Sequence, residues 1–547
     1  MKFLITSLLI FTSFYVFSQN VEKTADSTST DKKYLPDTTF MWHYEDFSKS
    51  GYAGISLQQA YDFAKEKNLE SHEIIVAVID SGIDTGHVDL AANLWINPKE
   101  IPFNEIDDDH NGYIDDVHGW NFLGNSDGYC IEGETLELTR LYKKYKLKYK
   151  GKTSKDIDDE DKADFKEWLA VKKDFESQRN EARLYYKIFK NASDYYDHCE
   201  EMLADYFDDP NFTEEQVESL EPRSESLSKA KDFYLHPFGS DLTRKDLQDA
   251  YEQYDSELNK KLNVLNDVRK KIGDNPTDIN DTLYGNNILY VGKSSNHGTG
   301  VSGIIGAVRD NNIGIDGIAP NVKIMVLRVV PGGDEYDKDV ALAIRYAVNH
   351  GARIINGSFG KDYSPEKTYV DEAVRYAQAH NVLIFHACGN DAKNIDKGGN
   401  FPTKQLNNPD EIAQNWIEVG ASNRHPDDSL AAEFSNYGKI VDLFAPGVDI
   451  YSTAIKSKYD SSSGTSDASP VACGVGVLVL SYFPELSAVE LKTILIESGI
   501  YYGDNKVLLP KESGRRKKKK FKKLSSSGKV INAYSALKMA YEKEKKD

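Results

Sequence analysis

Residues 73–80 read Glu-Ile-Ile-Val-Ala-Val-Ile-Asp, an apolar, largely β-branched run that stops at Ser81-Gly82. Between its two acidic ends nothing polar marks a solvent face. Both faces therefore need cover, which places the run at the centre of a parallel sheet flanked by helices. Runs of the same kind recur at 323–330, 352–358, 382–387, 417–421 and 440–445. Helical patterns alternate with them at 54–67, 339–349, 368–380, 471–482, 490–498 and 529–541. The alternation predicts the α/β class, a doubly wound and mostly parallel sheet in three layers. A chain of 547 residues, 40% of them hydrophobic, suffices for one large domain of this kind and an accessory region. Asp80 then stands at the carboxyl edge of the first strand, where open α/β sheets keep their chemistry.

Between 126 and 285 the character changes to Lys, Glu, Asp and Tyr, with little Gly or Pro. Ile188, Ala192, Tyr195, Cys199, Met202 and Tyr206 form one apolar seam at helical spacing. Leu247, Tyr251, Tyr254, Leu258, Leu262 and Leu265 form a second, stopped by Gly273 and Pro276. This stretch reads as an inserted helical subdomain. At the N-terminus, Lys2, the apolar run 3–17 and Ser18 fit a secretory signal peptide, the run being shorter than the ~20 residues of a membrane span. The expected organisation is a signal peptide at 1–18, a polar leader at 19–45, the α/β domain at 46–125 and 286–541, the helical insertion at 126–285, and a charged tail at 542–547. Such a protein is secreted or periplasmic, free or attached to the cell surface. No later segment has spanning length. A net charge of −20 argues against nucleic-acid partners. The basic run 515–523 reads as a solvated loop steered by nearby acidic surface. Cys388 and Cys473 read as buried thiols, and Cys130 and Cys199 as free or paired with each other.

Residues 464–470 read Gly-Thr-Ser-Asp-Ala-Ser-Pro, a cramped turn opening into the apolar helix 471–482. Such a turn presents Ser466 Oγ at a helix N-terminus, where free N–H groups favour a developing oxyanion. Pro470 is expected near the helix start, where a missing donor costs little. A serine needs a base, and the base an orienting acid. His297, in Asn296-His297-Gly298-Thr299-Gly300, and Asp80, in Asp80-Ser81-Gly82, supply those types. The order Asp, His, Ser is that of subtilisin. The chain resembles the subtilisin-like serine peptidases over roughly 54–125 and 286–541.

That resemblance implies roles. His297 takes the proton of Ser466 and returns it to the leaving amine; Asp80 holds the imidazole. Residues 384–391, Ile-Phe-His-Ala-Cys-Gly-Asn-Asp, resemble the family's strand ending in Ala-Gly-Asn. Asn390 then carries the oxyanion amide, which also separates the chain from the sedolisin relatives, where an Asp stands. The substrate, a polypeptide, pairs with two extended edges, one resembling Ser358-Phe359-Gly360 and the other including Gly332 and Gly333. Its side chain enters between Ser358–Gly360 and the segment Ala387–Gly389, where medium or large apolar residues are expected. The resemblance also exposes departures. Gly300 replaces a usual second histidine, the segment before the first strand is short for the family's propeptide, and the insertion is expected to narrow access to the cleft.

Residues 107–116, Asp-Asp-Asp-His-Asn-Gly-Tyr-Ile-Asp-Asp, place oxygen ligands at Asp107, Asp109, Asn111 and Asp115, a carbonyl at Tyr113 and Gly112 at the turn. This is a calcium loop up to its ninth position. His118 stands where a bidentate Glu belongs, leaving Asp116 to serve; an acidic Asx-rich turn is the alternative. Calcium here is structural, and the chemistry requires no cofactor. The leading expectation is a secreted serine endopeptidase. A catalytically silent binding scaffold on the same fold, or an esterase or amidase on the same triad, are the alternatives.

Overall fold

The computed structural model describes residues 38–408, 410–511 and 514–545. The signal peptide and most of the polar leader lie outside the described residues. Two compact units emerge: Gly133–Asn266, and the described residues before and after it.

In the larger unit the apolar runs form strands β1 (Ile74–Asp80), β2 (Gly119–Asn121), β3 (Val322–Arg328), β4 (Ile354–Gly357), β5 (Leu383–Ala387), β6 (Trp416–Ser422) and β7 (Leu443–Pro446). After them come β8 (Ile450–Ala454), β9 (Lys458–Ser462), β10 (Ile500–Tyr501), β11 (Lys506–Leu508), β12 (Lys518–Lys520) and β13 (Lys529–Val530). Among the described residues, nine make one sheet in the order β10-β13-β7-β6-β5-β4-β1-β3-β2. Its pairs are parallel except β10 with β13. This is the doubly wound α/β sheet expected from the apolar runs. Val76 and Val78 of β1 belong to one buried cluster and Ala77 and Ile79 to another, so the central strand is covered on both faces. The order reverses at β1, which lies between β3 and β4, and a crevice opens at the carboxyl ends of such neighbours.

Helix Thr465–Tyr482 is buried almost all round. Pro470 is its sixth residue rather than lying in the first turn, so the Ser466 carbonyl loses its i→i+4 donor. Ser358 Oγ donates to that carbonyl instead, at 2.9 Å. Residues 267–284 are anchored by a buried ion network. Arg269 pairs with Asp274 and Asp339 at 3.0 and 2.5 Å, and Lys338 with Asp274 at 2.5 Å. The basic run lies along acidic surface, with Lys518 on Asp428 at 2.5 Å and Lys522 on Asp504 at 3.0 Å. Cys130, Cys199, Cys388 and Cys473 are all free thiols. Among the described residues no helix is long and apolar enough to cross a membrane.

The smaller unit is helical, built on Lys162–Phe207 with Glu137–Tyr149, Glu225–Leu235 and Arg244–Ser256 beside it. Its buried seam runs Phe189, Ala192, Tyr196, Cys199, Leu203, not through Tyr195 and Tyr206, which are 40% and 39% exposed. The two candidate stripes share Ala192 and Cys199, and the one carrying Phe189, Tyr196 and Leu203 takes the core. The second seam breaks at Ser256, before Leu265, which is 85% exposed. Leu262 N–H then closes a wide turn on the Glu257 carbonyl.

Candidate active site

Asp80 ends β1 and is buried, with 1% exposure. Its Oδ1 accepts from its neighbour Ser81 N–H at 2.7 Å and faces His297 Nδ1 at 2.8 Å. A carboxylate oxygen can only accept, so Nδ1 carries the proton and Nε2 is left as the basic nitrogen. His297 is the second residue of helix Asn296–Gly306. That helix comes close because the next residue is glycine: a Cβ on Gly298 would lie 2.3 Å from the Gly82 carbonyl and 3.2 Å from Asp80 Oδ1. Partial desolvation works against protonating His297, whose side chain is still 46% exposed. The charge and hydrogen bond of Asp80, together with the charge of Asp467, outweigh it and push the imidazole up to about 9.

Ser466 is the second residue of helix Thr465–Tyr482, half-buried just beyond Gly464. A Cβ on Gly464 would lie 2.7 Å from Ser466 Oγ, 3.4 Å from Asp467 Oδ2 and 3.5 Å from Asn390 Nδ2. Those three polar atoms therefore converge on one point. Asn390 Oδ1 accepts from Thr465 N–H at 2.8 Å and from Thr465 Oγ1 at 2.9 Å. A backbone N–H can only donate, so the amide oxygen is held toward Thr465 and the NH2 group is presented on the other side. Thr465 was not singled out from the sequence.

A hairpin ties the motif-bearing segments together. Strands β8 and β9 pair antiparallel immediately before Gly464. Ser452 and Thr453 hydroxyls donate to the Gly300 and Thr299 carbonyls, both at 2.7 Å. Lys456 N–H donates to Asp84 Oδ2 at 2.6 Å, and Ser462 Oγ to Asp467 Oδ1 at 2.5 Å. Thus the turn after Asp80, the helix of His297 and the helix of Ser466 share one clamp.

Of the expected substrate edges, Ser358 is engaged by the Ser466 carbonyl, and Phe359 packs toward His386 with ring centroids 6.0 Å apart. Gly332 N–H donates to the Glu132 carbonyl at 2.8 Å. Gly333 N–H turns back to the Pro331 carbonyl, also at 2.8 Å. Between Gly360 and Gly389 stands Asn400, another residue that motif reading missed. Its Oδ1 would be 2.5 Å from a Cβ on Gly360 and 3.1 Å from one on Gly389. Its Nδ2 donates to the Ala387 carbonyl at 3.1 Å.

The acidic loop brings two of the expected ligands beside a residue that its spacing did not suggest. Carboxylate oxygens of Glu100, Asp107 and Asp109 lie within 4.8 Å of one another. Glu100 is 7% exposed, and its Oε2 has no hydrogen-bond partner. Burial, with the charges of Asp116 and Asp109, holds its carboxyl above the usual range. Asp115 instead accepts from Asn104 and Glu105 N–H groups at 3.3 and 2.8 Å. Asp116 accepts from Asn97, Asn111 and Tyr346. Asn111 Oδ1 accepts from Tyr113 N–H at 2.7 Å. A buried, unpartnered carboxylate oxygen beside two more acidic groups fits a hard cation with oxygen ligands.

Comparison with known proteins places the chain in a family. The chain is 39% identical over 188 residues to a thermophilic serine proteinase of Bacillus sp. (strain AK1), covering 34% of this chain and 43% of that one. It is 33% identical over 302 residues to the cell wall-associated protease of Bacillus subtilis, 51% of this chain and 31% of that protein. Subtilisin DY of Bacillus licheniformis is 32% identical over 219 residues, 40% of this chain and 74% of that protein. The chain thus covers less than half the length of the first two. The model of the subtilase family, peptidase S8, matches residues 71–524, and the chain belongs to that family.

Proposed function

We propose that the chain is a serine endopeptidase acting outside the cytoplasm, with Asp80, His297 and Ser466 as its triad and Asn390 as an oxyanion donor. The observation that carries this reading is the convergence of Ser466 Oγ and Asn390 Nδ2 on one point, with the amide oxygen held away by Thr465. His297 Nε2, basic because Nδ1 is committed to Asp80, takes the Ser466 proton as Oγ attacks the scissile carbonyl. The oxyanion forms against Asn390 Nδ2 and the Ser466 N–H at the helix start, contacts that strengthen only as charge develops. The imidazolium then protonates the leaving amine, and water attacks the acyl-enzyme with His297 again as base. Ser358 supports the geometry by holding the Ser466 carbonyl that Pro470 leaves without a donor.

Asn400 narrows the space between Gly360 and Gly389, which favours a small side chain at the scissile position over the medium or large ones expected from the motif. Calcium, held by Glu100, Asp107 and Asp109, would fix the acidic loop and takes no part in the chemistry. A secreted or surface-attached location follows from the signal-like residues 1–18 and the cell-wall relative.

The test is labelling by a fluorophosphonate probe in wild type and Ser466→Ala, followed by casein cleavage. Ser466-dependent labelling with proteolysis is expected. No labelling would leave a silent scaffold, and labelling without proteolysis an esterase or amidase.

A further inference from the structure

The side chain that follows the nucleophile has no part in the mechanism above, yet it lies among its atoms. Asp467 is 6% exposed. One oxygen accepts from Ser462 Oγ; the other faces the same point as Ser466 Oγ and Asn390 Nδ2. Few environments are worse for a negative charge than one beside a developing oxyanion, and few are better than one beside an imidazolium. Asp467 is exposed to both demands.

Its surroundings define which charges it meets. The charged groups that act on it are His297, on helix Asn296–Gly306, and Asp80, at the end of β1. The Ser462 hydroxyl on β9 and the Asn390 amide after β5 are its neutral polar neighbours. Burial raises its carboxyl, and the Ser462 bond and His297 offset that only in part, leaving it at about 6. Reciprocally, its charge is one of the influences that raise His297.

We propose that Asp467 is a positioning residue for the His297 base, its carboxylate holding the imidazole protonated so that hydrolysis turns on in a more alkaline range than the Asp80–His297 pair alone would set. The inference rests on the peptidase reading and adds a regulatory group to it. Below the range in which Asp467 ionises, the imidazole carries its proton for the sake of Asp80 alone. Above it, a second carboxylate holds that proton on, and fewer molecules have a free Nε2 to accept from Ser466.

The experiment compares the pH dependence of kcat/KM on a chromogenic peptide for wild type, Asp467→Asn and Asp467→Glu. Removing the charge should move the acid limb to lower pH by about half a unit or more, roughly a threefold gain in neutral imidazole on that limb. Asp467→Glu, which keeps the charge, should stay near wild type. Asp467→Ser, smaller and uncharged, replaces the asparagine variant if that one does not fold. A second readout does not need turnover: in a Ser466→Ala background, the His297 ring proton is titrated by NMR with and without Asp467→Asn. A shifted titration there, together with no peptide hydrolysis by the protein with Ser466 intact, would retain the electrostatic role and remove the peptidase reading. Active enzyme whose acid limb and His297 titration both coincide with those of Asp467→Asn would overturn the inference.

Discussion

Replacing Gly464 with alanine separates the position of Ser466, the proposed nucleophile, from every other property of the site. Gly464 has φ 179°, extended backbone that any residue adopts, so the methyl group is the sole perturbation. It would lie 2.7 Å from Ser466 Oγ, whereas its distances of 3.4 and 3.5 Å to Asp467 Oδ2 and Asn390 Nδ2 are ordinary contacts. To reach ordinary contact the hydroxyl must retreat by about 0.7 Å, and a misplacement near 1 Å costs ~100-fold in a reaction that depends on near-attack geometry. We expect kcat to fall about 10- to 100-fold, or roughly 1.4–2.7 kcal/mol of barrier, with KM little changed. Stability should stay within about 1 kcal/mol, because alanine also restricts the unfolded chain. Rapid-mixing measurement of fluorophosphonate acylation, steady-state kinetics on a peptide and a thermal melt provide the readouts. A folded Gly464→Ala enzyme with wild-type kcat would refute the crowding argument. A loss of cooperative melting would move the defect from geometry to folding.

Asn400→Gly should open the space between Gly360 and Gly389 and raise kcat/KM for a large apolar side chain relative to alanine by about 10-fold or more; an unchanged preference in a substrate panel would remove Asn400 from specificity. Calcium at 100 times its dissociation constant should stabilise the protein by about 2.7 kcal/mol over a chelator control. Glu100→Gln should abolish that shift while Asp115→Asn keeps it, and equal losses would restore the ligand set implied by the loop spacing. His43 is fully buried with neither ring nitrogen partnered, and burial pushes it down to about 3 from an ordinary 6.5. Its neutral form is the folded one, so its contribution is complete above pH 6.5 and declines by up to ~1.4 kcal/mol per pH unit as pH falls toward 3. Urea titrations of wild type and His43→Leu should therefore diverge between pH 6 and 4, and parallel curves would count against it.

The sheet was legible because its central strands are buried on both faces, and an unbroken run such as 74–79 has few alternatives. β2, β10 and β13 were not, since strands of two or three residues have too few side chains to show a period. In the helical unit, periodicity identified the helices but not the face: Ile188 and Phe189 are adjacent and both apolar, and only packing chooses between them. In the site, the residues on strand ends and helix starts stood out as motifs. Asn400 and Glu100 reach the candidate sites through distances that close only in three dimensions, from stretches of unremarkable composition; Thr465 lay inside the motif, but its contact with Asn390 spans 75 residues. In the acidic loop, Asp115 accepts from the Asn104 and Glu105 N–H groups and Asp116 from Asn97, Asn111 and Tyr346, while Asp107 and Asp109, which also accept from loop N–H groups, differ in lying beside the buried Glu100.

The position of β1 has a consequence for how the molecule comes into being. It is made early, yet its sheet partners β3 and β4 begin at Val322 and Ile354. Asp80 and His297 are 217 residues apart, and Asp84 and Lys456 are 372 apart. At about 5–20 residues per second on a ribosome, roughly 10–45 s separate the emergence of the acid from that of its imidazole. The serine and its clamp arrive later still. A nascent chain of this kind carries β1 without a sheet partner until β3 has been made, and the candidate triad is incomplete until β9 has been passed. Until then its apolar faces are exposed to whatever surrounds them, the condition under which long chains aggregate.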